Sequence, residues 1–467
     1  MGGIFGVISR GNCASTLFYG IDYHSHLGNQ RGGMLVKGAN GFTRAIHDIR
    51  HEQFRAKFEN DLLRMNGKIG IGCISDFDDQ PLIISGKNGK FGITTVAKVN
   101  NLIELRDQAF QDYNAHFAES AAGEVSPTEI IASVISQKHG FPEGILNAQE
   151  KIEGSCTMLL LTDEGLYAAR DRWGRTPLVI GKKRGSYAVA SESCALHNLG
   201  YKIDYWLGPG EAVLLNEHGR KVVVPARKEK RVCAFLWIYY GFPASSYEDI
   251  NTELVRYRCG EFLAERDRGI NVDVVAGVPD SGTAHALGYA VKADIPYRRA
   301  FVKYTPTWPR SFVYDSQKER KHVASMKLIP ISDFIKGQRL LFCEDSIVRG
   351  TQLRNTFARL PASGAKEVHV RSACPPILHN CKYLRFTPSR SNLELITRRQ
   401  IKKLEGRDDA HLDEYADENS ERYAAMVENI RQEMGFTSLK YQTLSDMIAA
   451  IGLPAEQLCT YCWTGRE

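Results

Sequence analysis

Short apolar runs separated by turns dominate the first half of the chain. Residues 69–74, 157–161 and 187–190 are apolar or small, and a turn such as residues 163–165 (Asp-Glu-Gly) interrupts such runs. Runs of this length predict strands, and the turns between them favour antiparallel neighbours. We therefore predict stacked antiparallel sheets with a few helices over residues 3–227.

The second half of the chain has a different pattern. Residues 272–278, 339–342 and 367–373 are candidates for buried strands, and helical segments separate them. This alternation is typical of a parallel sheet covered by helices. The pattern therefore predicts a second domain of the α/β class.

A basic stretch lies between the two patterns. Residues 227–231 (Arg-Lys-Glu-Lys-Arg) are interpreted as a linker, with a solvated surface loop as the alternative. We place the domains at residues 1–230 and 231–467. Near the other end, residues 401–435 are rich in charged residues and predict exposed helix, a solvated face and not a binding site.

Composition narrows the class of protein. A length of 467 residues is too great for one compact core, and the formal charge of +6 is modest with dispersed basic residues, so nucleic acid is not implied. No apolar run approaches the roughly 20 residues of a membrane span, and the first residues lack a secretory pattern. We expect a soluble cytoplasmic protein with no membrane partner.

Residues 343–351 (Cys-Glu-Asp-Ser-Ile-Val-Arg-Gly-Thr) carry the clearest chemistry. They follow an apolar strand and precede a predicted helix over residues 352–360, where backbone N–H groups can bind a phosphate. Gly350 permits close approach of the backbone, and the hydroxyls of Ser346 and Thr351 can donate hydrogen bonds.

Two adjacent acids, Glu344 and Asp345, stand at the end of the strand. They can accept hydrogen bonds from ribose hydroxyls or help to hold magnesium. A helix cap after a buried strand is the alternative, but a cap does not need two adjacent acids. The loop therefore favours a site for a phosphorylated sugar.

This loop resembles that of the type I phosphoribosyltransferases. Residues 278–282 (Val-Pro-Asp-Ser-Gly), 235–240 (Phe-Leu-Trp-Ile-Tyr-Tyr) and 3–7 (Gly-Ile-Phe-Gly-Val) are similar to segments of the glutamine phosphoribosylpyrophosphate amidotransferases, in that family's order. The resemblance implies an Ntn-hydrolase-like αββα sandwich, of the glutamine amidotransferase type, followed by a type I phosphoribosyltransferase domain with a parallel sheet.

The resemblance assigns roles in the second domain. Glu344 and Asp345 would hold the ribose and Mg2+, while Asp280 and Ser281 would face the pyrophosphate, with a structural turn as the alternative for the latter two. The residues implied for the 5-phosphate are Ser346, Ile347, Val348, Arg349, Gly350 and Thr351. The residues implied for catalysis are Arg349 and, at a mobile loop over the substrate, Lys303, Tyr304 and Lys327. The family usually has Asp at position 344, so the longer Glu344 departs from its pattern.

The first domain departs further from the family. Where the family has its nucleophilic cysteine, this chain has Gly2, and Ser75 stands at the arginine that would bind the glutamine carboxylate. Val99 and Asn100 replace the asparagine and glycine of the oxyanion hole, and Pro127 replaces the aspartate that would hold the amine. We expect this amidase site to be inactive.

The cysteines predict a metal centre. Cys459 and Cys462 form a CxxC pair, and by resemblance Cys233 and Cys381 fall where a cluster-bearing branch of the family has its other ligands. Four cysteines suit a 4Fe–4S cluster or zinc, and the resemblance favours iron–sulfur over zinc or free thiols. Cys13 and Cys73 are interpreted as buried structural thiols, not substitute nucleophiles.

Together these features predict an enzyme that transfers phosphoribose from 5-phosphoribosyl 1-pyrophosphate to ammonia, the first step of purine synthesis, without glutamine hydrolysis. Two alternatives stay open: a non-catalytic paralogue that binds the sugar phosphate or a nucleotide and regulates a partner, and a transferase that uses another amine. Homo-oligomers and purine nucleotide effectors are implied by the resemblance alone.

Overall fold

The computed structural model of the chain describes residues 2–113, 117, 125–304, 328–386 and 391–467. It divides into two compact units: the first comprises residues 1–233, 245–249 and 382–387, and the second comprises residues 234–244, 250–381 and 388–467. No helix within the described ranges has the length and apolar character needed to cross a membrane.

The first unit is built from antiparallel strands. Its strands are β1 Gly2–Ser9, β2 Arg31–Gly38, β3 Gly41–Asp48, β4 Ile69–Ser75, β5 Leu82–Gly86, β6 Gly89–Val99, β7 Gly154–Leu161, β8 Leu166–Ala169, β9 Val179–Lys183, β10 Ser186–Ala190, β11 Lys202–Trp206, β12 Ala212–Asn216, β13 Gly219–Val224, β14 Val232–Cys233 and β15 Ser246–Tyr247. Its helices are α1 Ala14–Asp22, α2 Phe54–Leu62, α3 Leu102–Tyr113, α4 Pro127–Ser136, α5 Phe141–Lys151 and α6 Ser193–Asn198.

Two sheets stack face to face in this unit. One has the strand order β11-β9-β10-β1-β4-β2-β3 and the other the order β13-β12-β8-β7-β6-β5. Strands β1 and β4 contact β6 and β7 across the interface, while α1 lies on β1 and α4 lies on β6. The predicted sandwich of stacked antiparallel sheets is confirmed.

The sequence explains how closely the outer helix packs. Gly20 on α1 faces Phe5 on β1, and a Cβ at Gly20 would lie 2.3 Å from the Phe5 ring. Phe5 is completely buried. Any larger residue at position 20 would push α1 away from the sheet.

The second unit contains a parallel sheet. Its strands are β16 Ile250–Asn251, β17 Val274–Gly277, β18 Phe301–Lys303, β19 Leu328–Pro330, β20 Arg339–Glu344, β21 Glu367–Ser372, β22 Ser438–Tyr441 and β23 Leu458–Cys459. Its helices are α7 Thr252–Arg266, α8 Gly282–Ala293, α9 Ser332–Ile335, α10 Thr351–Phe357, α11 Ile396–Glu405, α12 Leu412–Ala416, α13 Glu421–Met434, α14 Leu444–Ile451 and α15 Tyr461–Thr464.

The order of the main sheet is β17-β20-β21-β22, and all three neighbouring pairs are parallel. The carboxyl ends of parallel strands lie at one edge of a sheet, and ligands of open α/β sheets bind beyond that edge. Residues 278–282 follow β17, and residues 345–351 follow β20. The parallel sheet that the sequence predicted is confirmed, and it brings these two loops to the same edge.

The charged segment 401–435 is more deeply packed than the sequence predicted. It contains parts of three helices, α11, α12 and α13, and not one continuous exposed helix. Met426 and Ile430 on α13 are completely buried in the core beside the sheet. The prediction missed this because the few apolar residues recur on one face of α13, where they are enough to bury it.

Candidate functional site

Asp345 is a buried, hydrogen-bonded carboxylate at the sheet edge of the second unit. Its side chain is 3% exposed. The Ser281 hydroxyl donates to Oδ1 at 2.5 Å, and the Ser346 hydroxyl donates to Oδ2 at 2.6 Å. Ser281 belongs to the loop after β17, so these bonds join the two predicted substrate loops around one carboxylate.

Glu344 lies next to Asp345 but takes no part in these two hydrogen bonds. Its Oε2 atom is inaccessible to solvent and has no hydrogen-bond partner among the described residues. Burial raises the pKa of Glu344 well above its usual range, and the neighbouring Asp345 carboxylate raises it further. A buried carboxylate oxygen without a partner costs free energy, and a bound cation or hydroxyl donor would offset this cost.

The acid pair fits magnesium on the chemistry of its donors. Mg2+ binds through one or two carboxylates together with the phosphates of a substrate, so it needs no third protein ligand. Among the residues that the structure describes, no group of three or more His, Cys, Asp or Glu side chains could hold a metal ion. Glu344 and Asp345 would therefore hold Mg2+ only together with a phosphorylated ligand.

The unpartnered acid predicts a pH-dependent stability. Because the pKa of Glu344 is raised in the folded chain, its contribution to stability is greatest below the unfolded pKa and is lost as the pH rises through the folded value. We expect Glu344→Gln to raise the unfolding temperature of the ligand-free protein at pH 8 by about 2 °C or more, with a smaller gain at pH 5.

Thermal unfolding of Glu344→Gln and wild type, without Mg2+ or phosphate, tests this expectation. Glu421→Gln on α13 is the matched control, because Glu421 is exposed. A gain at pH 5 as large as that at pH 8 would contradict the assignment.

The start of α11 contacts residues 346–351, the loop that is predicted to bind the 5-phosphate. The Ile396 backbone N–H donates to the Val348 carbonyl at 2.8 Å, and Arg399 donates to the Arg349 carbonyl at 2.7 Å. The Arg349 side chain pairs with Glu394. These bonds fix the backbone of the loop, whose N–H groups the sequence analysis assigned to a phosphate.

Gly350 is required in this loop for two reasons. Its φ of 72° lies in the left-handed region, and a Cβ there would lie 2.7 Å from Ile396 Cδ1. The following helix α10 begins at Thr351 and ends at Phe357, earlier than the predicted residue 360. Ile347 is 3% exposed and belongs to the core, so only its backbone can take part in binding.

Lys303 lies next to the predicted pyrophosphate loop. Its Nζ atom is 2.5 Å from Asp280 Oδ2, and both side chains are at least half exposed. An exposed ion pair of this kind stabilises a fold little, so its effect is to place a cation beside the loop. Tyr304 follows and is 40% exposed. Lys327 and the other loop residues between positions 305 and 326 lie outside the described residues.

Sequence reasoning missed Arg256, a buried cation of this unit. Arg256 on α7 is 3% exposed, and its guanidinium donates to the carbonyls of Trp237, Tyr239 and Gly241. Its charge lowers the pKa of Asp345, against the larger effect of burial, which raises it. The signal for Arg256 in the sequence was an arginine on the apolar face of a helix. Only the fold shows which acid has its pKa lowered by this charge.

A small cleft in the first unit brings together three of the predicted amidase positions. Gly2 on β1 is the cross-strand partner of Ser75 on β4. Both line a cavity of about 30 Å³ together with Pro127 at the start of α4. A Cβ at Gly2 would lie 2.7 Å from the Ile74 carbonyl oxygen, so the backbone here leaves little room for any side chain.

The other two amidase positions lie apart from the cavity lining. Val99 ends β6 and is 5% exposed. The Asn100 side-chain amide donates to the Lys382 carbonyl at 3.0 Å. Asp78, which lines the cavity, accepts hydrogen bonds from Ser126 and Thr128 at the start of α4.

Neither Cys13 nor Cys73 is prepared to act as a nucleophile. Burial raises the pKa of Cys13 to about 12, and burial raises the pKa of Cys73 to about 12 as well. Thiols with such values are protonated at neutral pH and react slowly. This agrees with their interpretation as structural residues.

Three of the four predicted cluster cysteines lie close to one tyrosine in the second unit. Burial raises the pKa of Tyr461, and the thiols of Cys381, Cys462 and Cys459 raise it further, in that order. The Cys462 carbonyl accepts the backbone N–H groups of both Leu378 and His379 at 3.0 Å. All three cysteines are half-buried, but among the described residues no three His, Cys, Asp or Glu side chains are grouped so that they could hold a metal ion, and the cluster ligands therefore stay a prediction. Cys233 ends β14 in the first unit.

The fold and these sites define a class of protein: an antiparallel Ntn-type amidotransferase sandwich followed by a parallel-sheet phosphoribosyltransferase. Residues 68–198 match the model of the glutamine amidotransferase domain. The chain is 32% identical to the chloroplastic amidophosphoribosyltransferase of Vigna aconitifolia, over 81% of this chain and 72% of that protein. It is 28% identical to the amidophosphoribosyltransferase of Methanocaldococcus jannaschii, over 100% of this chain and 97% of that protein.

A solved structure agrees over nearly the whole length. The glutamine phosphoribosylpyrophosphate amidotransferase of Bacillus subtilis, complexed with ADP and GMP, aligns with a TM-score of 0.85 at 28% identity, over 99% of this chain and 96% of that chain. The chain belongs to the amidophosphoribosyltransferase family.

Proposed function

We propose that this protein transfers the phosphoribosyl group of 5-phosphoribosyl 1-pyrophosphate to ammonia and does not hydrolyse glutamine. The observation that carries the proposal is the pair of hydrogen bonds that the Ser281 and Ser346 hydroxyls donate to the Asp345 carboxylate. A group held this firmly needs little reorganisation during the reaction. Family membership supports the transfer reaction, and the cleft at Gly2 supports the loss of the amidase.

The geometry suits displacement at the sugar C1 atom. The ammonia nitrogen forms the new bond to C1, the bond from C1 to pyrophosphate breaks, and the nitrogen then gives a proton to solvent. Asp345 and Glu344 would accept hydrogen bonds from the ribose hydroxyls, while residues 346–351 would bind the 5-phosphate. Lys303, beside Asp280, supplies positive charge near the leaving pyrophosphate. Mg2+, when bound with the substrate, would neutralise pyrophosphate charge.

The side chains that glutamine hydrolysis requires are missing from the amidase positions. Gly2 offers no nucleophilic side chain, and Ser75 offers no charge for a glutamine carboxylate. Cys13 and Cys73 do not compensate, because burial raises the pKa of each thiol. In our proposal the first unit is therefore a retained scaffold.

The expectations about the metal centre, the effectors, the assembly and the location are also part of this proposal. A 4Fe–4S cluster held by Cys233, Cys381, Cys459 and Cys462 would be structural, with zinc as the alternative. Purine nucleotides are proposed as effectors, since the similar Bacillus subtilis structure is a complex with ADP and GMP. Assembly into homo-oligomers and a cytoplasmic location stay predictions.

One observation favours a second candidate, a paralogue that binds the substrate without turnover. Glu344 is longer than the usual aspartate, and the pKa of its carboxyl is raised well above the usual range. If the acid stays protonated, it accepts fewer hydrogen bonds from the ribose. Binding would then persist with little transfer.

Pyrophosphate release from phosphoribosyl pyrophosphate with Mg2+ separates these candidates. We expect release with ammonium to exceed release with glutamine by about 100-fold or more, because glutamine lacks the nucleophile that frees its ammonia. Glutamate should not accumulate in the glutamine reaction. Glutamate formation would overturn the loss of the amidase, and no release with any amine would favour the binding paralogue.

A further inference from the structure

Residues 382–386 belong to the first unit, although the stretches of sequence on both sides of this segment belong to the second unit. We call residues 382–386 the arm. The arm is anchored at its start by two hydrogen bonds. The Lys382 carbonyl accepts the Asn100 amide at 3.0 Å, and the Tyr383 carbonyl accepts the Ser155 hydroxyl at 2.6 Å. The Arg175 guanidinium carbon lies 3.5 Å from the centroid of the Tyr383 ring.

The next two residues of the arm enter the cleft. Leu384 and Arg385 line the same cavity as Gly2, Ser75 and Pro127. Leu384 is 4% exposed, and the Arg385 guanidinium carbon lies 4.3 Å from the centroid of the Phe77 ring. The side chains of the arm therefore pack against the walls of the cleft, as the side chain of a bound ligand would.

The space that remains is too small for an amino acid. A cavity of about 30 Å³ holds roughly two water molecules, and a whole glutamine is several times larger. The cleft is filled by the chain's own residues.

One altered amidase position contacts the arm, and another lines the same cavity as the arm. Asn100, at the position of the oxyanion glycine, donates to the Lys382 carbonyl. Ser75, at the position of the substrate-binding arginine, lines the cavity into which Arg385 now brings a guanidinium. Two of the changes that remove glutamine chemistry thus coincide with the placement of the arm.

We propose that the arm is a built-in plug of the amide cleft, with Leu384 and Arg385 as the residues that close it. The plug closes the cleft to glutamine-sized ligands independently of the missing nucleophile. It goes beyond the proposed function, because the amidase would be inactive at Gly2 even with an open cleft. Residues that bind the substrate in the second unit take no part in it.

Accessibility of a reporter thiol tests the plug without any enzymatic assay. Ala97 on β6 lines the cavity, so Ala97→Cys places a thiol on its wall. We expect a small methanethiosulfonate to label this thiol at least about 10-fold faster when Leu384→Gly and Arg385→Gly are added, because the close-packed side chains that exclude the reagent are removed. Peptide mass spectrometry distinguishes this thiol from the eleven native cysteines.

Arg55→Gly is the matched control in the same Ala97→Cys background. Arg55 also covers an aromatic ring, Tyr19, at 5.8 Å, but it lies outside the lining of the cleft. Equal labelling rates with the native and the opened arm would overturn the plug. Faster labelling in the Arg55→Gly control would also overturn it, since the effect would then not belong to the arm.

Hydrogen exchange gives a second measurement that does not depend on a triple variant. Ser155→Ala removes the hydroxyl that holds the Tyr383 carbonyl, and we expect faster amide exchange in residues 382–386 with other segments unchanged. Unchanged exchange in the arm would contradict its anchoring. Because neither measurement requires turnover, the plug and the proposed transfer reaction can fail separately.

Discussion

Asp345→Asn is expected to lower kcat/KM for ammonium-dependent pyrophosphate release by about 100-fold or more. The carboxylate is 3% exposed and is fixed by the hydroxyls of Ser281 and Ser346. An amide replaces an accepting oxygen with a donor and removes the negative charge that, in the proposed reaction, would face the developing positive charge on the sugar. Loss of one preorganised electrostatic group typically costs this much or more in rate.

Steady-state kinetics with saturating ammonium check this expectation, and Asp273→Asn is the matched control. Asp273 precedes β17 and pairs with Arg339 at the opposite end of the same sheet. This control should keep its kcat/KM within about 3-fold, because the Asp273 pair is partly exposed and far from the loops. A comparable loss in both variants would show damage to the sheet and would contradict a role for Asp345 in the reaction.

Cys459→Ser is expected to remove the iron centre and to lower the free energy of unfolding by about 4 kcal/mol or more. Binding of a structural metal centre contributes to folding, so the loss of one ligand is among the most destabilising single changes. The prediction rests on the CxxC spacing of Cys459 and Cys462 and on the resemblance of Cys233 and Cys381 to ligands of the cluster-bearing branch. Iron content and visible absorbance after anaerobic purification, followed by urea unfolding, measure both effects.

Cys194→Ser is the control for this prediction. Cys194 on α6 is a buried thiol of the first unit and is not a predicted ligand. It should leave iron and absorbance unchanged. Wild-type protein that contains neither iron nor zinc would contradict a metal centre altogether, and zinc without iron would favour the alternative metal.

The local chemistry of the second unit could be predicted from the sequence. The order of apolar strand, two acids and a loop with Gly350 requires only neighbouring residues, because strand, turn and helix start are decided within about a dozen positions. The positions of Gly2 and Ser75 could likewise be compared with a family pattern residue by residue. For these features the order of the residues along the chain is sufficient for the prediction.

Contacts between distant segments could not be predicted in this way. Ser281 reaches Asp345 across 64 positions, and the Ser155 hydroxyl holds the Tyr383 carbonyl across 228. The Cβ clash at Gly2 and the small volume of the cleft likewise depend on how strands and side chains pack. Such packing is decided by the whole core and leaves no periodic signal in the sequence.

The sequence by itself determined the two fold classes, the presence of the acid pair with its candidate phosphate loop, and the residues that stand at the amidase positions, because each is a property of residue type and local order. Only the tertiary structure decided that Glu344 has an unpartnered oxygen, that Asp345 is locked from two loops, and that Leu384 and Arg385 fill the cleft. The physical reason is that burial and hydrogen-bond pairing depend on which distant residues the fold brings together.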